Sequence, residues 1–240
     1  KVDPVSDIET INLELIIADM QSVSKRIDTL ARDVKRGDKP AASEHAALVK
    51  ILMVLEKGDL AAKATLDLEE RALLKSMNLL TLKPILYILN KKAGGKNLDE
   101  MNDPRFVQLL AYFKERGDHY VVVDAKIEEE LNEFEGEEKK MFAEELGVTR
   151  DGIDDLIVAA YDLLGLATFL TTGEDETRAW TIKKMSTAPV AGMAIHNDFK
   201  EKFIRAEVIN WQTLLSAGSY GAAREKGLVR TEGKEYVVQD

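Results

Sequence analysis

The sequence predicts two folds in series: a parallel α/β half with an inserted antiparallel helical hairpin, then a small α+β domain. Three patterns in the 240 residues carry this reading. A heptad stripe runs through 7–36, two continuous apolar runs alternate with helical periodicity between 66 and 164, and short strand-like stretches surround one helix after 165.

Taken in order, 7–36 reads as one long helix capped by Ser6 or Asp7 after Pro4. Ile16, Met20, Val23, Ile27, Leu30 and Val34 recur at gaps that alternate between four and three. Gly37, Asp38, Lys39 and Pro40 break it, and a second helix from Ser43 carries Leu48, Leu52 and Leu55 at matching spacing. The stripe is glue between the two helices, which leaves the polar faces or the tip for a partner. An amphipathic helix over 69–78 leads to 84–89, an apolar run of the kind that forms a strand buried on both faces. A helix over 104–115, a second apolar run at 120–123 and a helix over 126–134 follow. This is the order of a doubly wound parallel sheet. Two strands are too few for a stable domain of that class, so either residues preceding Lys1 complete the sheet or the class differs. Helices at 137–146 and 152–164 lead to the third region, with strands near 168–172, 179–182, 203–209 and 235–238 and a helix near 190–196.

Composition bounds the function. Hydrophobic residues at 45% and charged residues at 32% sit in the globular range. The longest apolar stretch, 79–89, is broken by Thr81, Lys83 and Pro84, short of the roughly 20 residues a spanning helix needs. Without cysteine there is no disulfide, thiolate metal site or cysteine nucleophile, and with no signal peptide visible the expected setting is cytoplasmic. A net charge of −10 argues against coating nucleic acid by bulk electrostatics, so any RNA contact requires a local basic patch. The chain opens without methionine, and both ends read as cuts from a longer protein.

No Walker A loop is present. The nearest string, Gly94-Gly95-Lys96-Asn97, has Asn90 where the first glycine belongs and Asn97 where Ser or Thr would hold magnesium, and it reads as a flexible loop. Gly218-Ser219-Tyr220-Gly221 has the wrong spacing for an activated serine. His45, His119 and His196 lie far apart, so no metal site is expected, and the acidic runs 128–130, 137–138 and 154–155 read as solvated helix faces. What remains is positional. Open α/β sheets bind ligands at the carboxyl ends of their strands, where Asn90 ends the first apolar run and Asp124-Ala125-Lys126 follows the second. There an asparagine amide can meet a purine edge and tie the two loops together. The backbone N–H of the 124–126 turn can face the base, and the alkyl stem of Lys91 can cover its plane. This reading expects Asn90 and Ala125 to share one pocket. On spacing alone, Asn90 also fits a plain turn residue after a strand.

At these residues a family resemblance becomes dense. Val2-Asp3-Pro4 with Asp7-Ile8-Glu9-Thr10-Ile11-Asn12 resembles the segment with which the YchF (Obg-like) family of P-loop NTPases leaves its switch region and enters its helical arm. Leu80-Thr81-Leu82-Lys83-Pro84 through Asn90 is similar to that family's base-reading strand, and 121–126 to its last nucleotide loop. Most specific are Arg178-Ala179-Trp180-Thr181-Ile182, Ala188-Pro189, Ile195-His196-Asn197-Asp198-Phe199 and Phe203-Ile204-Arg205-Ala206-Glu207, which together resemble its TGS domain.

The resemblance covers essentially the whole chain. It implies the C-terminal part of a Rossmann-like P-loop NTPase G domain (1–20 and 66–164), an inserted coiled-coil arm (21–65) and a β-grasp, ubiquitin-like TGS domain (165–240) lacking its last strand. It further implies a cytoplasmic protein that binds ATP or GTP with magnesium in its intact form, often preferring ATP. Such a protein associates with the ribosome or ribosomal RNA and regulates translation or a stress response. A monomer without DNA or membrane partners is expected. The base-binding residues would be Asn90, Lys91, Asp124, Ala125 and Lys126.

The departures are specific. Where the family has Asn, an apolar residue, a small residue and Glu, Asn90 is followed here by Lys91, Lys92 and Ala93. Lys91 restores the lysine of the ordinary GTPase Asn-Lys-x-Asp motif, but Ala93 supplies no carboxylate, which leaves base preference open. Asn97-Leu98-Asp99-Glu100 matches by composition but lies seven residues too late, and strand register takes precedence over the string. In the last region Lys183, Lys184, Lys200, Lys202, Arg205, Arg224, Lys226 and Arg230 form either an RNA-binding patch or a solubilising surface.

For the intact gene product the reading is a ribosome-associated NTPase. For these residues alone it is a nucleotide-independent RNA or protein interaction module built from arm and TGS domain. Phosphate and magnesium contacts dominate affinity in P-loop proteins, so neither tight nucleotide binding nor hydrolysis is expected of them. A third reading, a helical scaffold with a ubiquitin-like tail, explains the hairpin but not Asn90 or 178–182.

Overall fold

A computed structural model describes residues 2–148, 152–173 and 175–240. The chain is of mixed α/β build and divides into two compact units, Lys1–Ala159 and Ala160–Asp240.

In the first unit α1 (Pro4–Lys35) begins earlier than the expected residue 7, because Asp3 caps it instead of Ser6 or Asp7. The Asp3 carboxylate accepts the Ser6 N–H at 3.3 Å, and Pro4 occupies the first turn, where its missing N–H would have had no helical partner. The turn 36–38 leads into α2 (Lys39–Leu55), whose cap Asp38 accepts the Ala41 N–H at 2.9 Å. Ile16, Val23 and Leu30 of α1 are buried with Ala47, Leu48, Ile51 and Leu55 of α2, while Met20, Ile27 and Val34 pack at the edges. Each fully buried Leu or Ile stabilises by about 1.5–3 kcal/mol, which makes this seam the main core of the unit. Across its rim Arg26 forks onto Glu44 at 2.7 and 2.8 Å.

The same helix fixes the chain that feeds the sheet. Buried Asp19 accepts the Leu80 N–H at 2.9 Å, the Thr81 N–H at 2.7 Å and the Thr81 hydroxyl at 2.7 Å. Thr81 Oγ1 in turn accepts the Ala61 N–H at 3.1 Å. Between them lies α3 (Leu68–Leu74), opened by a capping box of Asp67 and Glu70. From Thr81 the chain enters β1 (Leu86–Asn90), crosses through α4 (Pro104–Arg116) and returns as β2 (His119–Val123), parallel to β1 from Leu86↔His119 to Asn90↔Val123. Gly117, at φ 69°, ends α4 in a left-handed conformation that a residue with a Cβ resists. Phe113 on α4 is fully buried, stacked on Tyr120 at 4.9 Å and tilted against Tyr87 at 5.1 Å. The strands are not buried on both faces as their apolar runs predict. Ile88 remains 52% exposed and Tyr120 38%, because α4 covers one side of a sheet that has only two strands among the described residues. After β2 come α5 (Ala125–Leu131), α6 (Gly136–Glu145) and α7 (Gly152–Leu164), which contains the division between the units.

In the second unit β3 (Leu166–Thr172) and β4 (Thr177–Lys183) pair antiparallel from Leu166↔Lys183 to Thr172↔Thr177. The expected helix at 190–196 is α8 (Ala188–Gly192), followed by α9 (Asp198–Glu201). A Cβ on Gly192 would lie 2.8 Å from Phe199 Cβ, so the glycine permits this tight reversal. The strand expected at 203–209 contracts to β5 (Ala206–Val208), paired antiparallel with β6 (Arg230–Glu232), which the sequence reading lacked. Between them α10 (Trp211–Ala217) and α11 (Tyr220–Glu225) were also not anticipated; Asn210 and Ser219 cap them. The strand expected at 235–238 is instead a single bridge, Thr187↔Val237, flanked by bonds from Ala188 N–H to Tyr236 O (2.8 Å) and Val238 N–H to Ser186 O (3.0 Å). Ala167, Ile182 and Ala191 form the small core, with Phe169 and Val238 against it.

Candidate functional site

Parallel pairing brings the carboxyl ends of β1 and β2 level, and the Lys91 N–H extends the ladder to Val123 O at 2.7 Å. Beyond it the Asn90 side chain crosses between the strands, its Oδ1 accepting the Ala125 N–H at 3.0 Å. Ala125 opens α5, where a backbone N–H has no partner inside the helix, so Asn90 satisfies a donor that the fold leaves open. The Asn90 amide nitrogen has no hydrogen bond among the described residues. Asp124 caps the same helix by accepting the Ile127 N–H at 3.2 Å, which commits one carboxylate oxygen to the helix start. Lys126 lies 3.9 Å from Glu130, one turn along α5.

The loop after β1, in which 94–97 is expected to be flexible, is closed by a clasp. Asn97 Oδ1 accepts the Lys92 N–H at 2.8 Å and its Nδ2 donates to Lys92 O at 3.2 Å. That closure turns the chain back on itself. Asp99 consequently reaches the Lys91 ammonium at 3.1 Å, and Glu100 makes a short ion pair with it. The Glu100 carboxylate raises the pKa of the Lys91 ammonium, and Lys91 in turn holds the Glu100 carboxyl below its ordinary 4.5. At the far end of the loop Arg105 forks onto Asp103 and donates to Val2 O at 2.6 Å.

A cleft of about 460 Å³ opens here, walled by Lys91, Lys92, Asn97 and Glu100 from the loop and by Asp124, Glu128 and Asp155 from the segments after β2. Asn90 and Ala125 are bonded to each other, yet neither is among its walls. Their chain neighbours Lys91 and Asp124 line it, so the bonded pair stands directly beside the cleft. Glu128 departs from the solvated face expected of 128–130. It is buried, with Oε1 accepting the Gly152 N–H at 2.7 Å where α7 begins, a favourable place for a carboxylate. A Cβ at 152 would meet Glu128 Oε1 at 2.7 Å, so glycine is needed for this approach. The run of acids does not distinguish Glu128 from its neighbours. Its spacing of three from Leu131, also buried, is the only available signal. Among the described residues no group of three or more His, Asp or Glu is arranged to hold a metal, and no helix is long and apolar enough to cross a membrane.

In the second unit the eight cations of the expected RNA-binding patch are not equivalent. Lys184 pairs with Asp162 at 2.7 Å, Lys202 with Asp198 at 2.6 Å, Arg224 with Glu207 at 3.6 Å and Arg230 with Glu232 at 3.8 Å. Lys183 donates to Leu164 O at 2.8 Å. Lys200, Arg205 and Lys226 make no ion pair among the described residues.

Residues 166–240 match the family model YchF-GTPase_C, described as a protein of unknown function (DUF933). The whole chain is 48% identical to the ribosome-binding ATPase YchF of Bacillus subtilis and 38% identical to that of Escherichia coli O157:H7, covering 65% of each. The structure of the Schizosaccharomyces pombe YchF GTPase superposes over the whole chain with a TM-score of 0.80 at 31% identity, again with 65% of that protein covered. The chain thus spans 65% of the length of these relatives. With every residue of the chain inside these alignments, and its fold reproduced in a solved relative, the chain belongs to the YchF family.

Proposed function

We propose that this chain forms the base-binding side of a nucleotide site in a cytoplasmic P-loop NTPase that binds ATP or GTP with magnesium in its intact form, associates with ribosomes and regulates translation. In this reading 1–20 and 66–164 belong to the G domain, 21–65 form its helical arm, and 165–240 form the TGS domain. The bond from the Ala125 N–H to Asn90 Oδ1 carries it. A side chain that ties two strand ends and keeps its amide nitrogen available suits the edge of a purine, and the carboxyl end of a parallel sheet is where such ligands sit. The names of the relatives, ribosome-binding ATPase in two bacteria and GTPase in a yeast, support the same class. Lys91, Asp124 and Lys126 flank the base in this scheme.

The test is nucleotide affinity of the gene product that carries this chain. Asn90→Ala removes the tie and one base contact, about 1–2 kcal/mol together, so ATP and GTP are both expected to bind roughly ten-fold more weakly. Unchanged affinity for both would remove the strand ends from the nucleotide site and leave the interaction-module reading in its place.

A further inference from the structure

Helix α1 runs unbroken from Pro4 to Lys35, out of the residues assigned above to the G domain and along the first limb of the arm. Its pin is Asp19. The buried Asp19 carboxylate holds the Leu80 and Thr81 N–H groups and the Thr81 hydroxyl. Thr81 in turn accepts the Ala61 N–H on its hydroxyl oxygen and the Ala62 N–H, at 3.0 Å, on its carbonyl. Three chain segments therefore meet at the root of the arm: α1, the return from α2 and the entry to β1. On the near side of this pin, α1 is bonded to both segments that flank Asn90. Asn12, 7% exposed, exchanges hydrogen bonds of 3.1 and 3.3 Å with the hydroxyl of Tyr87, three residues before Asn90 on β1. Arg105, at the end of the loop after Asn90, donates to Val2 O at 2.6 Å, just before α1 begins.

We propose that α1 is a lever that couples the strand end at Asn90 to the tip of the arm, with the Asp19–Thr81 cluster as its fulcrum. It rests on the base site proposed above, which supplies the input. A ligand engaged at Asn90 repositions the end of β1, and Tyr87 and Arg105 pass that displacement to the near limb of α1. Close-packed interiors do not absorb such a shift by continuous deformation, so the helix moves as a body. At ~1.5 Å per residue Asn12 lies about 10 Å from Asp19, and Lys35 about 24 Å beyond it on the other side. A shift of about 1 Å at Asn12 thus becomes about 2.4 Å at the tip. The Asn12 pair is not what seats Tyr87, whose ring packs against Phe113 at 5.1 Å, so its hydroxyl is available for this joint. The device is reciprocal. A partner that holds the arm in one position changes nucleotide affinity by the same factor with which nucleotide changes its own.

Pulsed dipolar EPR on the gene product that carries this chain reads the lever directly. Nitroxides go on cysteines introduced at two exposed positions, Lys35→Cys on the arm and Lys114→Cys on α4, with any other cysteine replaced by serine. Saturation with ATP or GTP in a non-hydrolysable form should shift the mean distance between the labels by about 2–3 Å. Tyr87→Phe keeps the ring against Phe113 but removes the hydroxyl, and should cut the shift to less than half at saturating nucleotide. Tyr87→Phe combined with Arg105→Gln should abolish it. A distance that stays put while nucleotide binds overturns the lever, and so does a full shift in the double variant. In both cases the base site stands if Asn90→Ala still weakens nucleotide binding. Affinity indifferent to Asn90→Ala removes the base site, and the input of the lever with it.

Discussion

Asp19 shows how much one side chain can commit. It is buried on α1 and takes two backbone donors and one hydroxyl from Leu80 and Thr81, so it sets where the chain turns toward β1. Asp19→Ala should destabilise by about 2–3 kcal/mol in urea unfolding, since it orphans the buried Thr81 N–H and removes the hydroxyl bond and the bond to the half-exposed Leu80 N–H. Asp19→Asn should lose less, because its oxygen still accepts although its amide opposes a donor. A loss under about 1 kcal/mol for Asp19→Ala would mean that water replaces the carboxylate. The Lys91–Glu100 pair makes a second prediction, in pH. The folded Glu100 carboxyl lies below 4.5, so its contribution is present above that pH and is lost as pH falls through the folded value. Lys91 lies above 10.5, so its contribution is present below that pH and is lost as pH rises through the folded value. Carboxyl titration by NMR should place Glu100 below 4.5, and Lys91→Ala should return it upward; an unmoved midpoint would mean that the pair does not persist in solution. At this scale Asn90 and the 124–126 turn were legible because strand ends can be counted along the chain. Glu100 was not, because its place depends on the Asn97–Lys92 closure, which brings residues distant in register together.

At the scale of elements the heptad stripe was the most legible feature, since its buried positions follow from the period alone. Ile51 on α2 is fully buried and should cost about 2–5 kcal/mol on truncation to alanine, whereas Ile17 on α1, 46% exposed, should stay within about 0.5 kcal/mol. Equal losses in thermal or urea unfolding would place the seam on another face. The first cap was misread because Ser6 and Asp7 are good capping types, yet Asp3 directly precedes the proline that starts the helix. The strands were found but their burial was not. An apolar run records what a strand could bury, and the number of neighbours decides what it does bury. In the second unit the short helices capped by Asn210 and Ser219 were missed, each carrying only six or seven residues of periodicity. The strand expected at 235–238 has strand-forming residues, but only Val237 makes a bridge.

At the scale of the whole molecule charge is the property that composition represents least well. A net charge of −10 and a cluster of cations in the last region are sums over the chain, whereas phosphate binding by the eight cations of the expected patch depends on which already have partners. Four of the eight lie in ion pairs with acids of their own unit, and Lys183 is bound to a carbonyl. To release counterions from RNA a paired cation must first exchange its carboxylate, which returns little net charge to the contact. Lys200, Arg205 and Lys226 have no such exchange to make. If the second unit grips an RNA backbone, replacing these three with alanine should lower the slope of log affinity against log salt by roughly 2, about 0.7 for each contact to a single strand. Replacing Lys184, Lys202 and Arg224 together should lower it by less than about 1. Filter binding to ribosomal RNA across a salt series separates the cases. Equal slopes for the two triple variants would show that pairing does not select the contacts, and a wild-type affinity insensitive to salt would move any ribosome contact away from this charged surface.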